Sequence, residues 1–289
     1  MEKLRRFIES KRHSRKLYWI LLIYLKDLLW NIKRNDSIFA YPLQFYYYLS
    51  LFARNKRRGK HKENIAAIVL SWKRTKNLPQ IVFGLKKQSF IDDIFILHNH
   101  PSKLWVPGCK NIFFKKNKGC IIRHHFASTL KEYDYFVFSD DDLMLKDDFS
   151  KEVLEAIRKH GKESVLGFIG HELDLNNKDK PYTSGKYKTS KKVIMPVDIV
   201  KGRFHIISKL GITVMAKSGL DTDALKSEDD LRANIALQRK FKKPSYLIPI
   251  KHEIVELQDN HALEYRSFHI KYRDRAIRDG LTLGWKSIK

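Results

Sequence analysis

From residue 65 to residue 160 short apolar runs alternate with amphipathic stretches, and that alternation limits what the chain can fold into. Residues 65–71 (IAAIVLS) read as a buried strand, and residues 77–88 carry Leu78, Ile81, Val82 and Leu85 at helical spacing. The pattern then predicts a strand at 91–98, a short strand at 111–114, a helix at 119–130, a strand at 133–138 (YDYFVF) and a helix at 147–160. Strands joined by helices pair in parallel, so the expected architecture is α/β, a mostly parallel central sheet flanked by helices. In such sheets ligands bind beyond the carboxyl ends of the strands.

The 133–138 run ends on Ser139-Asp140-Asp141-Asp142. Adjacent carboxylates raise one another's pKa unless a cation neutralises them. Oxygen-only ligands suit hard divalent cations, and a phosphate often completes the shell. The Asp140-x-Asp142 spacing lets one carboxylate face a metal and the other a ribose. A solvated surface turn is the plainer reading of the same residues.

The 289 residues hold 57 Lys and Arg against 32 Asp and Glu, a formal net charge of +25. Residues 1–62 carry 16 of those cations and 4 of the acids, and the remainder reads as one domain, residues 63–289. Such a balance attracts polyanions, whether nucleic acid, acidic membrane or phosphorylated substrate. The longest apolar run, residues 17–25 (LYWILLIYL), is about half of a bilayer span and lacks a following cleavage site. With the aromatic residues 39–52 and the basic run 54–62, residues 1–62 read as a helical appendage and linker. Such a segment either packs on the main domain or lies on anionic lipid. The expectation is a cytoplasmic protein, peripheral on the inner face of a membrane. Two cysteines, Cys109 and Cys120, exclude a disulfide scaffold and lack zinc spacing.

Residues 69–99, the pattern Asn117-x-Gly119-x-x-x-Arg123, the stretch YFVFSDDDL (135–143), residues 197–207 and SEDDLRANIAL (227–237) together resemble GT-A type nucleotide-sugar glycosyltransferases of the family 2 and exostosin-like kinds. The resemblance covers residues 65 to 285 and implies a Rossmann-like GT-A fold. It implies transfer of a hexosyl or N-acetylhexosaminyl group from a nucleoside diphosphate sugar to a hydroxyl of a glycan or lipid-linked acceptor, with Mn²⁺ or Mg²⁺. By the same resemblance Ser71 and Arg74 border the base and phosphates, and Asn99 lies near the base or ribose. Arg123 sits near the diphosphate, Asp140 touches ribose or sugar beside Asp141, and Asp142 holds the metal with Asp140. For Arg123 a plain helix-surface arginine is the competing reading.

The second acidic motif, Glu228-Asp229-Asp230, opens an amphipathic stretch with Ser227 as a plausible N-cap. Carboxylates there suit the helix dipole alone. In the family this position faces the acceptor hydroxyl, which implies Asp229 as the catalytic carboxylate and Glu228 as its neighbour to test second. Gly202-Arg203 resembles the acceptor-side strand, where a small residue keeps the pocket open, and a β-bulge glycine is the alternative. His252 and His261 are further candidates near the metal, and residues 267–285 read as a basic helix that covers either the donor site or the sheet. Two other function classes compete. A nucleic-acid grip explains the charge but not three carboxylates at a strand end. A two-metal nuclease or nucleotidyltransferase needs a further carboxylate on a neighbouring strand, and the sequence offers no clean one.

Overall fold

The computed structural model describes residues 40–53, 61–72, 74–99, 104–249, 254–256 and 267–287. The apolar run at 17–25, most of the basic run at 54–62, and both His252 and His261 lie outside the described residues.

Helix α1 (Ala40–Ala53) is followed by β1 (Ile65–Ser71), a 3-10 turn (Thr75–Asn77), α2 (Leu78–Lys87), β2 (Asp93–His98) and β3 (Lys110–Phe113). Then come α3 (Ile122–Thr129), β4 (Tyr135–Asp140), β5 (Leu143–Leu145) and α4 (Ser150–Ala156), which runs into one π turn (Ile157–Gly161). The second half holds β6 (Leu166–Gly167), β7 (Ile169–Glu172), β8 (Lys186–Thr189), β9 (Met195–Val197), β10 (Ile199–Val200) and β11 (Phe204–Ser208). Helices α5 (Lys209–Ala216), α6 (Asp223–Ser227) and α7 (Asp229–Phe241), strands β12 (Ser245–Leu247) and β13 (Ile254–Glu256), and helix α8 (Ser267–Thr282) complete the chain.

The central sheet has 8 strands in the order β3-β2-β1-β4-β11-β6-β12-β9. The β3/β2, β2/β1, β1/β4 and β6/β12 pairings are parallel, and the other three are antiparallel. This is the expected mixed α/β, Rossmann-like GT-A class of sheet. The chain moves outward from β1 to β3 and then returns to lay β4 on the other side of β1, so a switch point opens at the carboxyl ends of β1 and β4.

Successive strand residues face opposite sides of the sheet. Ile65, Ala67 and Val69 of β1 enter one core with residues of α2 and α4, whereas Ala66 and Ile68 enter a second core with residues of α3, α5 and α7. Both faces are therefore covered, which is why β1 and β4 are almost continuously apolar. Asp140 is the last residue of β4, so the strand extends into the acidic tripeptide rather than stopping at Phe138.

Helix α1 contributes to the first core. Tyr48 and Leu51 are buried there, and the Tyr48 hydroxyl donates to Trp105 O at 3.1 Å. Tyr47 meets the Phe83 ring of α2 edge-on at 4.9 Å. A cut at residue 62 removes these side chains from that core. Among the described residues no helix is long and apolar enough to cross a membrane. We expect Tyr48→Ala to lower unfolding stability by about 3 kcal/mol in urea denaturation; a change under about 0.5 kcal/mol would show that α1 adds nothing to the domain.

Candidate active site

Antiparallel pairing brings the start of β11 to the end of β4: Phe204 lies opposite Ser139, and Asp140 N donates to Arg203 O at 3.0 Å. Residues 201–203 are thus held beside the acidic tripeptide. Helix α7 is clamped over them, because Asn234 accepts from Val200 N and donates to Val200 O, each at 2.9 Å. One turn earlier on the same helix stands the second acidic motif. A cavity of about 210 Å³ opens between these elements, lined by Trp72 and Arg74 after β1, Asp140–Asp142, residues 201–203, Cys120 and Arg123, Ser227–Asp230, and His269 and Arg273 of α8.

Arg123 joins the two acidic motifs. Its Nε and Nη2 donate to Asp229 at 2.5 and 2.9 Å, and its Nη1 donates to Asp140 at 2.7 Å. The guanidinium is buried, and so is Asp229. Burial pushes the Asp229 carboxyl upward, but the Arg123 fork overrides it and holds the group well below the usual carboxylate range. Behind the pair, His124 and His205 face each other with their Nε2 atoms 3.3 Å apart. Burial lowers them to about 3 and about 4, so both imidazoles are neutral. A Cβ at Gly202 would lie 3.1 Å from Arg123 Nη2 and 3.3 Å from Asp230 Cβ, so the small residue makes room for the bridge itself.

The three carboxylates of the second motif have different surroundings. Asp230 accepts from Arg273 Nη2 at 2.7 Å and Nη1 at 3.2 Å, and from Gly202 N at 2.9 Å. Its carboxyl is lowered: burial opposes ionisation, and Arg273 overrides it. Glu228 accepts one bond, from Arg273 Nη1 at 2.7 Å, and His269 Nδ1 lies 3.3 Å from its other oxygen. Burial, followed by the charges of Asp230 and Asp229, raises Glu228 to about 8 against the opposing pull of Arg273. The N-cap of α7 is Glu228 and not Ser227, whose hydroxyl instead donates back to Asp223 O within α6.

The first motif divides in the same way. Asp141 is buried and used up: Trp72 N donates to Oδ2 and Arg74 Nη1 to Oδ1, each at 2.8 Å. It staples the exits of β1 and β4 together, and burial raises it to about 7 against Arg74 and Trp72. Asp142 accepts from Arg74 at 3.1 Å and from Arg203 at 3.4 Å. Asp140 gives Oδ1 to Arg123, and its Oδ2 accepts no hydrogen bond among the described residues.

The structure thus brings Arg74, Arg123, Asp140, Asp141, Asp142, Glu228 and Asp229 to one cavity. Ser71 and Asn99 are not in its walls. Asn99 instead orders the loop before α3, donating to Asn117 Oδ1 and Gly119 O and accepting from Lys118 N. Gly119 has φ +72°, a left-handed conformation that favours glycine. The sequence reading assigned no place in the site to Trp72, Cys120, Lys201 or His269. Residues 201–203 (KGR) hold two cations and no acid, so no local pattern marked Lys201, whereas Arg273 lies in the stretch 267–285 that reads as a basic helix.

No protein-family profile matches the sequence, and no curated protein matches it. A crystal structure of S. aureus TarS 1–349 is similar at 12% identity over 66% of this chain, with a TM-score of 0.43. This chain spans 58% of the length of that one. So distant a likeness sets neither family nor chemistry.

Removing Arg123 strands the buried Asp229 carboxylate and takes the same partner from the half-buried Asp140. Arg123→Ala should lower stability by about 3–5 kcal/mol. Arg123→Ala/Asp229→Asn should recover part of the loss, because the second change removes an unpaired charge. Strictly additive losses in chemical denaturation would show that the two groups do not interact.

Proposed function

We propose that the protein is a glycosyltransferase that moves a hexosyl or N-acetylhexosaminyl group from a nucleoside diphosphate sugar to a hydroxyl of a glycan or lipid-linked acceptor. The observation that carries this reading is the convergence of two acidic motifs, from the end of β4 and the start of α7, on one cavity beyond the β1/β4 switch point. The first fits the donor's diphosphate side, and the second fits the acceptor side.

Among the described residues no three His, Cys, Asp or Glu side chains are grouped to hold a metal ion by themselves, so a divalent cation here would draw part of its shell from the donor. The cavity walls hold six carboxylates (Asp140, Asp141, Asp142, Glu228, Asp229, Asp230) against five cations (Arg74, Arg123, Lys201, Arg203, Arg273). With the proton kept on Glu228 these charges come close to balance, so an entering diphosphate brings negative charge that calls for more positive charge. Asp140, with its unused Oδ2, and Asp142 are the residues that would hold Mn²⁺ or Mg²⁺, with diphosphate oxygens completing the shell. When bound, the ion neutralises charge on the departing nucleoside diphosphate. Arg74 and Arg203, now on Asp142, are placed to turn toward the same charge.

Transfer forms a bond from the acceptor oxygen to the anomeric carbon and breaks the bond from that carbon to the diphosphate oxygen, which leaves with the electron pair. The acceptor proton needs a base. Asp229 and Asp230 are each held by an arginine through both oxygens, which stabilises their charge and weakens them as bases. Glu228 keeps one oxygen outside that fork and has a pKa near the working range, so we assign it the base role and give Asp229 the task of holding Arg123. The same carboxylate serves an inverting or a retaining enzyme, and the anomeric configuration of the product distinguishes the two. The nucleic-acid reading meets six carboxylates at this cavity, which repel a phosphate backbone.

UDP or GDP with Mn²⁺ should raise the melting temperature by mass action, and Asp142→Asn should abolish that shift while the unliganded melt is kept. Equal shifts in the two proteins would take the metal away from Asp142.

A base near 8 gives a rate that climbs through about pH 8 and then levels. Glu228→Gln should slow turnover by about 10²–10⁴-fold and flatten that rise. Stability offers a second readout. A Glu raised from 4.5 to about 8 keeps its proton in the folded chain and loses it in the unfolded one, so stability falls as pH rises across that window. Glu228→Gln removes its share of this slope and leaves the share of Asp141, which ends near pH 7. Wild-type turnover in a folded Glu228→Gln protein would return the base role to Asp229.

A further inference from the structure

Strands β10, β7 and β8 form a separate three-stranded sheet beside the cavity. A relay of rings runs through it from one cavity wall back to another. The Arg273 guanidinium lies 4.5 Å from the centre of the Tyr182 ring. His171 stacks on Tyr182 at 4.0 Å, and Tyr187 meets His171 edge-on at 5.0 Å. Lys201, again a cavity residue, places Nζ 4.0 Å over the Tyr187 ring. Tyr182 and His171 are buried, but Tyr187 is 62% exposed.

The platform is rigidly mounted. Tyr182 N and Thr183 N donate to Asp274 Oδ1 at 2.8 and 3.0 Å, and the Thr183 hydroxyl donates to Asp274 Oδ2. Consecutive residues of α8 therefore serve the cavity and the hairpin, Arg273 the first and Asp274 the second. A Cβ at Gly185 would lie 2.2 Å from Glu172 O, so the tight hairpin needs glycine there. The hairpin is also strongly basic. Residues 174–192 hold Lys178, Lys180, Lys186, Lys188, Lys191 and Lys192 against Asp174 and Asp179. Lys188 pairs with Glu172 at 2.8 Å, and the other five lysines are exposed.

An exposed aromatic ring presents an apolar face to the C–H face of a pyranose, and ammonium groups around it select acidic substituents. We propose that the acceptor is an anionic glycan that lays a sugar ring on Tyr187 and its acidic groups on the lysines of the β7–β8 hairpin. This deepens the glycosyl-transfer reading of the cavity and rests on it. Carboxylate and phosphate substituents share the chemistry required.

The test is calorimetric binding of oligogalacturonate, of neutral maltoheptaose, of inorganic polyphosphate and of an oligothymidylate to the full-length protein. Oligogalacturonate should bind, and maltoheptaose should bind at least about tenfold more weakly. Tyr187→Ala should weaken oligogalacturonate about tenfold, and Tyr187→Phe should restore it. Polyphosphate binding, which needs no ring contact, should be the same in Tyr187→Ala as in the wild type. Phosphate tolerance at the same lysines is read from competition of polyphosphate with oligogalacturonate, and loss of that competition in Lys186→Gln/Lys191→Gln/Lys192→Gln supports the site. Failure of oligogalacturonate to bind, or equal binding by wild type and Tyr187→Ala, would overturn the proposal. So would tighter binding of oligothymidylate than of oligogalacturonate of equal charge, which would make the surface one for nucleic acid. The UDP–Mn²⁺ melting shift, measured on the wild type and on Tyr187→Ala, separates the two readings: its absence in the wild type sinks the transferase reading, whatever the hairpin binds.

Discussion

One buried guanidinium organises the site. Arg123 is shared between Asp140, at the end of a parallel strand, and Asp229, at the start of a helix 106 residues later in the chain. Leaving any of these charges unpaired in the interior costs several kcal/mol, so the fold has to keep them together. Much of the local sequence follows from that requirement. Gly202 leaves space for the side chain, Phe138 lies under it with its ring centre 6.0 Å away, and the neutral His124 and His205 fill the volume behind without adding charge.

A second arginine makes a parallel arrangement from the other side. Arg273 of α8 takes Asp230 and Glu228, as Arg123 takes Asp229 and Asp140. Helix α8 is therefore part of the cavity wall. The same helix holds the β7–β8 hairpin through Asp274, so the cavity and the surface beside it are fixed relative to each other by a single element.

The parts legible in the sequence were those set by local pattern. The apolar runs of β1, β2 and β4 and the amphipathic turns between them predicted the parallel half of the sheet, because burial on both faces writes itself into continuous apolar residues. The helix ends were harder. The stretch 147–160 reads as one helix, but only Ser150–Ala156 is α-helical before a π turn, where the chain bends toward β6. Pairings across the chain were not legible at all. Nothing near Asp141 tells that Trp72 N and Arg74 consume both of its oxygens, and nothing near Asn99 tells that its amide is spent on the loop at 117–119. Both depend on the register of strands that are distant in sequence. The resemblance that placed Asn99 near a base or ribose carried a position, whereas the structure shows which groups the side chain reaches.

Three consecutive carboxylates divide into two kinds because they straddle a helix start. Within an α-helix neighbouring side chains point about 100° apart. Asp229 and Asp230, the first two residues of α7, therefore diverge toward different arginines and are each gripped through both oxygens. Glu228 precedes the helix at φ −114° and ψ 76°, outside helical geometry, and its longer side chain reaches only one nitrogen of the Arg273 fork. The like charges of its two neighbours, together with burial, then keep its proton on. The same six atoms of carboxylate chemistry are thus divided by backbone geometry into two anchors, which hold the arginines, and one group whose proton remains exchangeable near neutral pH.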